Sequence, residues 1–109
     1  MKTMIEFDYR WALTGCLRYS RCQAMMLSAI NDGTLDVEGA IDIMTQTTSP
    51  LAAEKAIVEK YGVKQAVARE FVELPMSRFS KLDAGKELEY YSEAAKHFDA
   101  LLKALNEQI

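Results

Sequence analysis

The sequence predicts an all-α protein in which two long antiparallel coiled-coil helices carry a small globular head of about three short helices. Three observations point there. The last third of the chain repeats apolar residues at alternating intervals of three and four, the spacing of a helix that packs along one partner. Helix stop and start signals recur at Asn31-Asp32-Gly33, at Thr47-Thr48-Ser49-Pro50 and at Tyr61-Gly62. The one alternating stretch, Thr34-Leu35-Asp36-Val37, is extended at most for a few residues and too short to argue a strand.

Taken in order, Thr3 and Glu6 have the spacing of a capping box, which starts a helix near Met4. Tyr9, Leu13, Cys16, Leu17, Ala24, Leu27 and Ile30 recur at helical intervals and give that helix an apolar side. Gly15 weakens it by about 1 kcal/mol relative to alanine. It ends at Asn31-Asp32-Gly33, where Gly33 can take positive φ.

A second helix spans Glu38 to Gln46, with Ile41, Ile43 and Met44 available to a core. Ser49 reads as an N-cap with Pro50 at the first helical position, where a missing N–H does no harm. The third helix runs from there to about Lys60, offering Ala53, Ala56 and Ile57 inward and a Lys55–Glu59 pair one turn apart. Gly62 suits a left-handed C-cap. A fourth helix covers Val63 to Leu74, striped by Val67, Phe71 and Leu74 and supported by Arg69 and Glu73 one turn apart. Pro75 stops it.

Ser80, three residues before Asp83, reads as the N-cap of the last helix, which runs from Lys81 to near the C-terminus. Leu88, Tyr91, Ala95, Phe98, Leu102, Leu105 and Ile109 form its heptad seam, and the first helix, of similar length, is the natural partner. The chain is then a single domain of 109 residues: 1–31 the first long helix, 34–80 the head and 81–109 the returning helix.

A net charge of −3 gives no basic face for phosphate contact. No apolar run approaches a membrane span, and Met1 to Phe7 mixes acidic and polar residues where a secretory signal needs apolar ones. A cytoplasmic location is the expectation. Cys16 and Cys22, six residues apart on one helix, are separated by roughly 9 Å of rise, too far for a disulfide, so they read as reduced thiols. The single histidine, His97, has Glu93 one turn before it, a pair that on a charged helix face is solvated. No glycine-rich phosphate loop, metal-ligand spacing or nucleophile with its base is present. No catalytic, cofactor or metal residue is therefore assigned, and whether the chain belongs to an enzyme is left open.

From Ser49 to Asp83 the chain resembles the exit-gate region of the DNA-cleaving subunit of type IIA DNA topoisomerases, the family of gyrase and topoisomerase IV. That region in gyrase-like subunits has an Asp-Pro-Ala-Glu-Ala-Lys type start, a Phe-Gly-Leu step, an Ala-rich helix, a Leu-Arg-Leu-x-Arg-Leu-Thr segment and a long returning helix. The matching residues here are Ser49-Pro50-Leu51-Ala52-Ala53-Glu54-Lys55, then Tyr61-Gly62-Val63, then Ala66 and Ala68, then Leu74-Pro75-Met76-Ser77-Arg78-Phe79-Ser80, without a gap. Pro75 stands where the gyrase type has arginine, and Lys81 where it has glycine. Both departures look closer to the eukaryotic and phage branches, as does Ala29 to Val37, which is similar to their Ile-x-x-Gly-x-Leu-x-Ile connection. Before about Leu17 the likeness is helical character alone.

The resemblance implies a homodimer through the head, closing the gate by which a transported DNA segment leaves. A two-fold contact needs only one self-complementary patch, and Phe71, Leu74, Pro75, Met76 and Phe79 are the candidates. The alternative for each is that it fills the head's own core. Burying a Phe or Leu contributes roughly 1.5–3 kcal/mol, so a few per copy would close a gate that must reopen. The parent enzyme would use ATP and Mg, with its other subunits or domains as partners and DNA met only indirectly. Arg18-Tyr19-Ser20 mimics the family's DNA-linking arginine–tyrosine step, but the carboxylates and partner residues of that site are absent, and Tyr19 falls mid-helix. The competing reading is a free-standing helical adaptor that binds another protein, with its heptad helix open to pairing between chains.

Overall fold

A computed structural model describes residues 2–79 and 81–107, with side chains throughout that span except at residues 2–9 and 76. The elements in order are α1 (Lys2–Asn31), α2 (Val37–Gln46), α3 (Pro50–Tyr61), α4 (Gln65–Glu73), α5 (Met76–Phe79) and α6 (Ala84–Glu107), and no strand occurs among the described residues. The fold class is all-α.

The longest extent of the molecule, 51 Å, is set by α1, whose 30 residues span about 45 Å at 1.5 Å per residue. Its most extensive contact is with α6. The two run antiparallel: Asn31 lies beside Gly85, and further along Arg21 reaches Asp99 at 3.6 Å. The short helices α2 to α5 gather around the C-terminal half of α1. There Met26 and Leu27 of α1 meet Leu35, Ala40 of α2, Ile57 of α3 and Val67, Ala68 and Phe71 of α4 in the one buried cluster, with Leu88 and Tyr91 of α6 packed on its edge. Toward its N-terminus, α1 buries Leu13 and Leu17.

Local chemistry explains most boundaries. Ser49 Oγ accepts from the Ala52 N–H at 3.1 Å and Pro50 opens α3, so the expected start holds. Gly62 ends α3 at φ 67, ψ 24 and donates to the Val58 carbonyl, a left-handed C-cap. Gly33 takes φ 83 in the turn after α1. Thr34 to Val37 is that turn and the beginning of α2, with no ladder partner. Asp36 caps α2, accepting from the Gly39 N–H at 3.2 Å.

Elsewhere the boundaries shift for physical reasons. The backbone of α1 is already helical at Lys2, so Thr3 lies inside the helix rather than before it. α4 is shorter than Val63–Leu74, because Gly62 holds the entry open and Pro75 forces Leu74 out of the helical region. The segment after Pro75 coils into α5, a fourth short helix. That turn runs on to Lys81, whose N–H reaches the Arg78 carbonyl at 3.2 Å, so α6 cannot begin until the chain is released. Asp83 then caps it, accepting from the Lys86 N–H at 3.1 Å. Glu87 closes the box by accepting from the Asp83 N–H at 3.2 Å; a carboxylate here also meets the positive end of the helix dipole. Ser80 lies outside the described residues.

Two polar pairs tie the short helices down. Arg69 turns to Glu54 of α3 at 3.3 Å rather than to Glu73, since Glu54 is buried and a buried carboxylate needs a partner. Gln23 of α1, also buried, donates to Glu70 of α4 at 2.6 Å. Lys55 and Glu59 form no ion pair among the described residues.

Candidate functional site

Among the described residues no three His, Cys, Asp or Glu groups converge where a metal ion would sit. His97 is exposed, its ring against Phe98, and Glu93 pairs with Lys96 at 3.4 Å instead. Cys16 is an exposed free thiol and Cys22 a half-buried one. What the fold offers is surface.

The head residues expected to meet a partner are spread over three environments. Phe71 is 0 % exposed at the centre of the core, and its ring lies 4.9 Å from that of Phe79. Phe79 and Leu74 are half-buried and packed against the same core. Pro75 is exposed, and the Met76 side chain is outside the described residues. Phe71 therefore backs such a patch from within, and the outward surface belongs to the edges of Leu74 and Phe79 around Pro75.

The seam residues Leu88, Tyr91, Ala95, Phe98, Leu102 and Leu105 are all half-buried, and α6 buries no residue completely. Ile109 lies outside the described residues. At the head end of this seam an aromatic and ionic cluster joins three helices. Tyr91 of α6 stands edge-on to Tyr19 of α1, centroids 6.0 Å apart, and to Tyr90. Arg78 of α5 bridges to Glu87 of α6, and that bond raises the guanidinium further above its ordinary value. Burial pushes the Tyr91 phenol up, and its hydrogen bond with Tyr19 adds to the effect. The cluster thus ties α1, α5 and α6 together through ring contacts and an ion pair.

Burial of the Glu70 carboxyl makes stability depend on pH. Desolvation raises the Glu70 carboxyl above 4.5, opposed in part by the bond from Gln23. A carboxyl with a raised folded value holds its proton more tightly when folded. Its contribution is thus complete at low pH and is lost as pH climbs from the unfolded value through the folded one. Glu70→Gln removes that loss. Melting temperatures of the variant minus the parent should rise with pH above 4.5 and then level off; a flat difference between acid and neutral pH would show that Glu70 is not desolvated.

The largest exposed apolar side chains lie elsewhere, on the long helices: Trp11 is 76 %, Tyr90 67 % and Tyr19 53 % exposed. Sequence reasoning assigned none of them to a surface. Trp11, Gly15, Arg18 and Cys22 recur at intervals of four, three and four, which was the available signal for Trp11. No helix among the described residues is long and apolar enough to cross a membrane. Comparison of the chain with protein-family models, with curated proteins and with solved structures finds no match in any of the three.

Proposed function

We propose that the chain is a non-catalytic homodimerisation module of the kind that closes the exit gate of a type IIA DNA topoisomerase. The observation that carries this reading is the antiparallel α1–α6 pair with four short helices inserted between its arms. The resemblance from Ser49 to Asp83 adds to it, because its Pro50 start and Gly62 step fall on helix boundaries. In this reading α1 and α6 form a two-stranded coiled-coil stalk along the Leu88 to Leu105 seam, and α2 to α5 form a head that meets its twin around Leu74, Pro75, Met76 and Phe79. Bond chemistry, ATP and Mg belong to the other parts of the parent enzyme, in a bacterial or phage-infected cytoplasm, and this piece opens and closes to release the transported DNA segment.

Met76→Asp is the cleaner test, since Phe79→Asp also strikes the ring packed on Phe71. Sedimentation equilibrium should find a dimer that Met76→Asp weakens about tenfold or more, a like-charge effect across the two-fold axis, with helix content unchanged. A parent chain that stays monomeric at high micromolar concentration ends the proposal. The exposure of Trp11, which precedes the resembling part of the chain, and of Tyr90 favours a second reading as a free-standing adaptor for another protein. Co-purification with topoisomerase subunits separates the two.

A further inference from the structure

The two long helices carry different outer surfaces. The exposed positions of α6 include Lys86, Glu89, Glu93, Lys96, Lys103 and Glu107, charges of both signs that suit a face turned to water. The exposed positions of α1 from Trp11 to Ser28 are, in order, Trp, Ala, Thr, Gly, Cys, Arg, Tyr, Arg, Met and Ser, without a carboxylate or a lysine. The nearest carboxylate before them in the helix is Asp8. Aromatic residues, methionine and arginine where lysine, aspartate and glutamate are missing make up the composition of a protein–protein interface.

Within that stretch Trp11, Gly15, Arg18 and Tyr19 line one hollow of about 530 Å³, to which no described residue of α6 contributes. Trp11, Gly15 and Tyr19 follow one another at intervals of four and so belong to one ridge of the helix surface. Gly15 is the gap in that ridge. A Cβ there would meet nothing within 4 Å, so no packing inside the chain calls for a glycine that weakens the helix. The rings on either side of the gap are eight residues apart, about 12 Å along the axis, which is the width of an α-helix with its side chains. Tyr19 is braced edge-on by Tyr91 at 6.0 Å and needs little further ordering on contact. Arg18, exposed beside the gap, forms no ion pair among the described residues, whereas Arg21 reaches Asp99.

We propose that the Trp11–Gly15–Tyr19 ridge of α1 is a docking surface for an acidic amphipathic helix of another protein, which crosses at Gly15 between the two rings and sets a carboxylate against Arg18. The occupant follows from charge and width. The hollow is lined by one cation and no anion among the described residues. In the adjoining hollows Arg21 and Arg69 are already paired, with Asp99 and Glu54, and the Glu70 carboxylate already accepts from Gln23. Arg18 is the charge left to recruit a partner, and a carboxylate is its complement. A nucleic acid would have to approach a chain of net charge −3, against the repulsion of its phosphates. A second copy fits less well still. A two-fold crossing at Gly15 brings the two Arg18 guanidiniums together, and contact with any other face of a copy is heterologous and continues into rings or filaments.

This inference deepens the adaptor reading by naming its surface and the chemistry of its partner, and it makes no use of the head. Trp11 is the only tryptophan of the chain, so its emission reports on the site itself. The probe is a capped peptide of three Glu-Ala-Leu-Glu-Ala-Leu-Ala heptads, an acidic helix with one apolar side, titrated into the full chain up to millimolar concentration. Trp11 emission should move saturably to shorter wavelength. Arg18→Glu should raise Kd about tenfold or more. Gly15→Gln fills the gap with a good helix former; it should raise Kd as much while the melting temperature rises by a few degrees. Lys64→Glu, the same change of charge at the entry to α4, should leave Kd near the parent value. The peptide with lysine for glutamate should bind the Arg18→Glu chain better than the parent.

No saturable shift with the glutamate peptide, or equal weakening by Arg18→Glu and Lys64→Glu, overturns the proposal. So does binding that a folded Gly15→Gln chain leaves unchanged; should that variant lose helix content, Arg18→Glu decides alone. A Trp11 shift produced by oligothymidylate at lower concentration than by the peptide assigns the surface to nucleic acid and overturns the proposal. A shift produced by concentrating the chain alone assigns it to a second copy and does the same. Failure here, with proteins other than topoisomerase subunits still co-purifying, leaves the adaptor reading standing, and sedimentation reads the head contact separately.

Discussion

Phe71→Ala should lower stability by about 3–5 kcal/mol, the range for deleting a fully buried ring, and no other single truncation in the chain should cost more. Phe71 is 0 % exposed and has Val67 and Ala68 of α4, Ile57 of α3 and Met26 of α1 as its companions in the core. Removing it also strips Phe79, 4.9 Å away, of the ring it leans on. Domains of this size melt about 4–8 °C lower per kcal/mol, so thermal denaturation followed by circular dichroism should show a fall well beyond 10 °C on that scale. A change of a few degrees would mean that the residue is not at the centre of the core. One corollary concerns the gate proposal: a Phe71 variant that fails to dimerise reports unfolding, not a lost contact.

Leu35→Ala should cost about 2–5 kcal/mol, although the residue belongs to no helix. The chain leaves α1 through Gly33 at φ 83; Asp32 accepts from the Thr34 N–H at 2.9 Å, and the Leu35 N–H donates back to the Ala29 carbonyl at 3.0 Å. Those bonds aim the Leu35 side chain into the core, where it is buried. Leu51, at the start of α3, is 51 % exposed, and Leu51→Ala should change stability by less than about 0.5 kcal/mol. Urea unfolding of the two variants side by side checks the pair. Equal midpoints would contradict the burial of Leu35.

What was legible in the sequence is what local chemistry decides. Ser49 with Pro50, Gly62 and Gly33 each solve a backbone problem within a few residues, and each sits where its chemistry puts it. The half-buried positions of α6 follow the spacing from Leu88 to Leu105. Less legible were ends contested by several polar groups. Asp36 and Asp83 took the caps of α2 and α6 because their carboxylates reach the N–H two or three positions on, and α5 delayed α6 by occupying the backbone as far as Lys81.

Pairing across distance was not legible at all. Gln23 and Glu70 are 47 positions apart and Glu54 and Arg69 are 15, so no periodic pattern announces them. The stripe of Val67, Phe71 and Leu74 declares an apolar face on α4 without saying what covers it. Periodicity marks a face; only the tertiary fold names the neighbour, and in this chain the neighbour of Phe71 is the core.

The 30 residues of α1 form one uninterrupted rod, embedded among the short helices at Met26 and Leu27 and flanked by α6 beyond them. A displacement of this helix pair has to pass the Gln23–Glu70 bond, where it becomes a sliding of one packed surface over another.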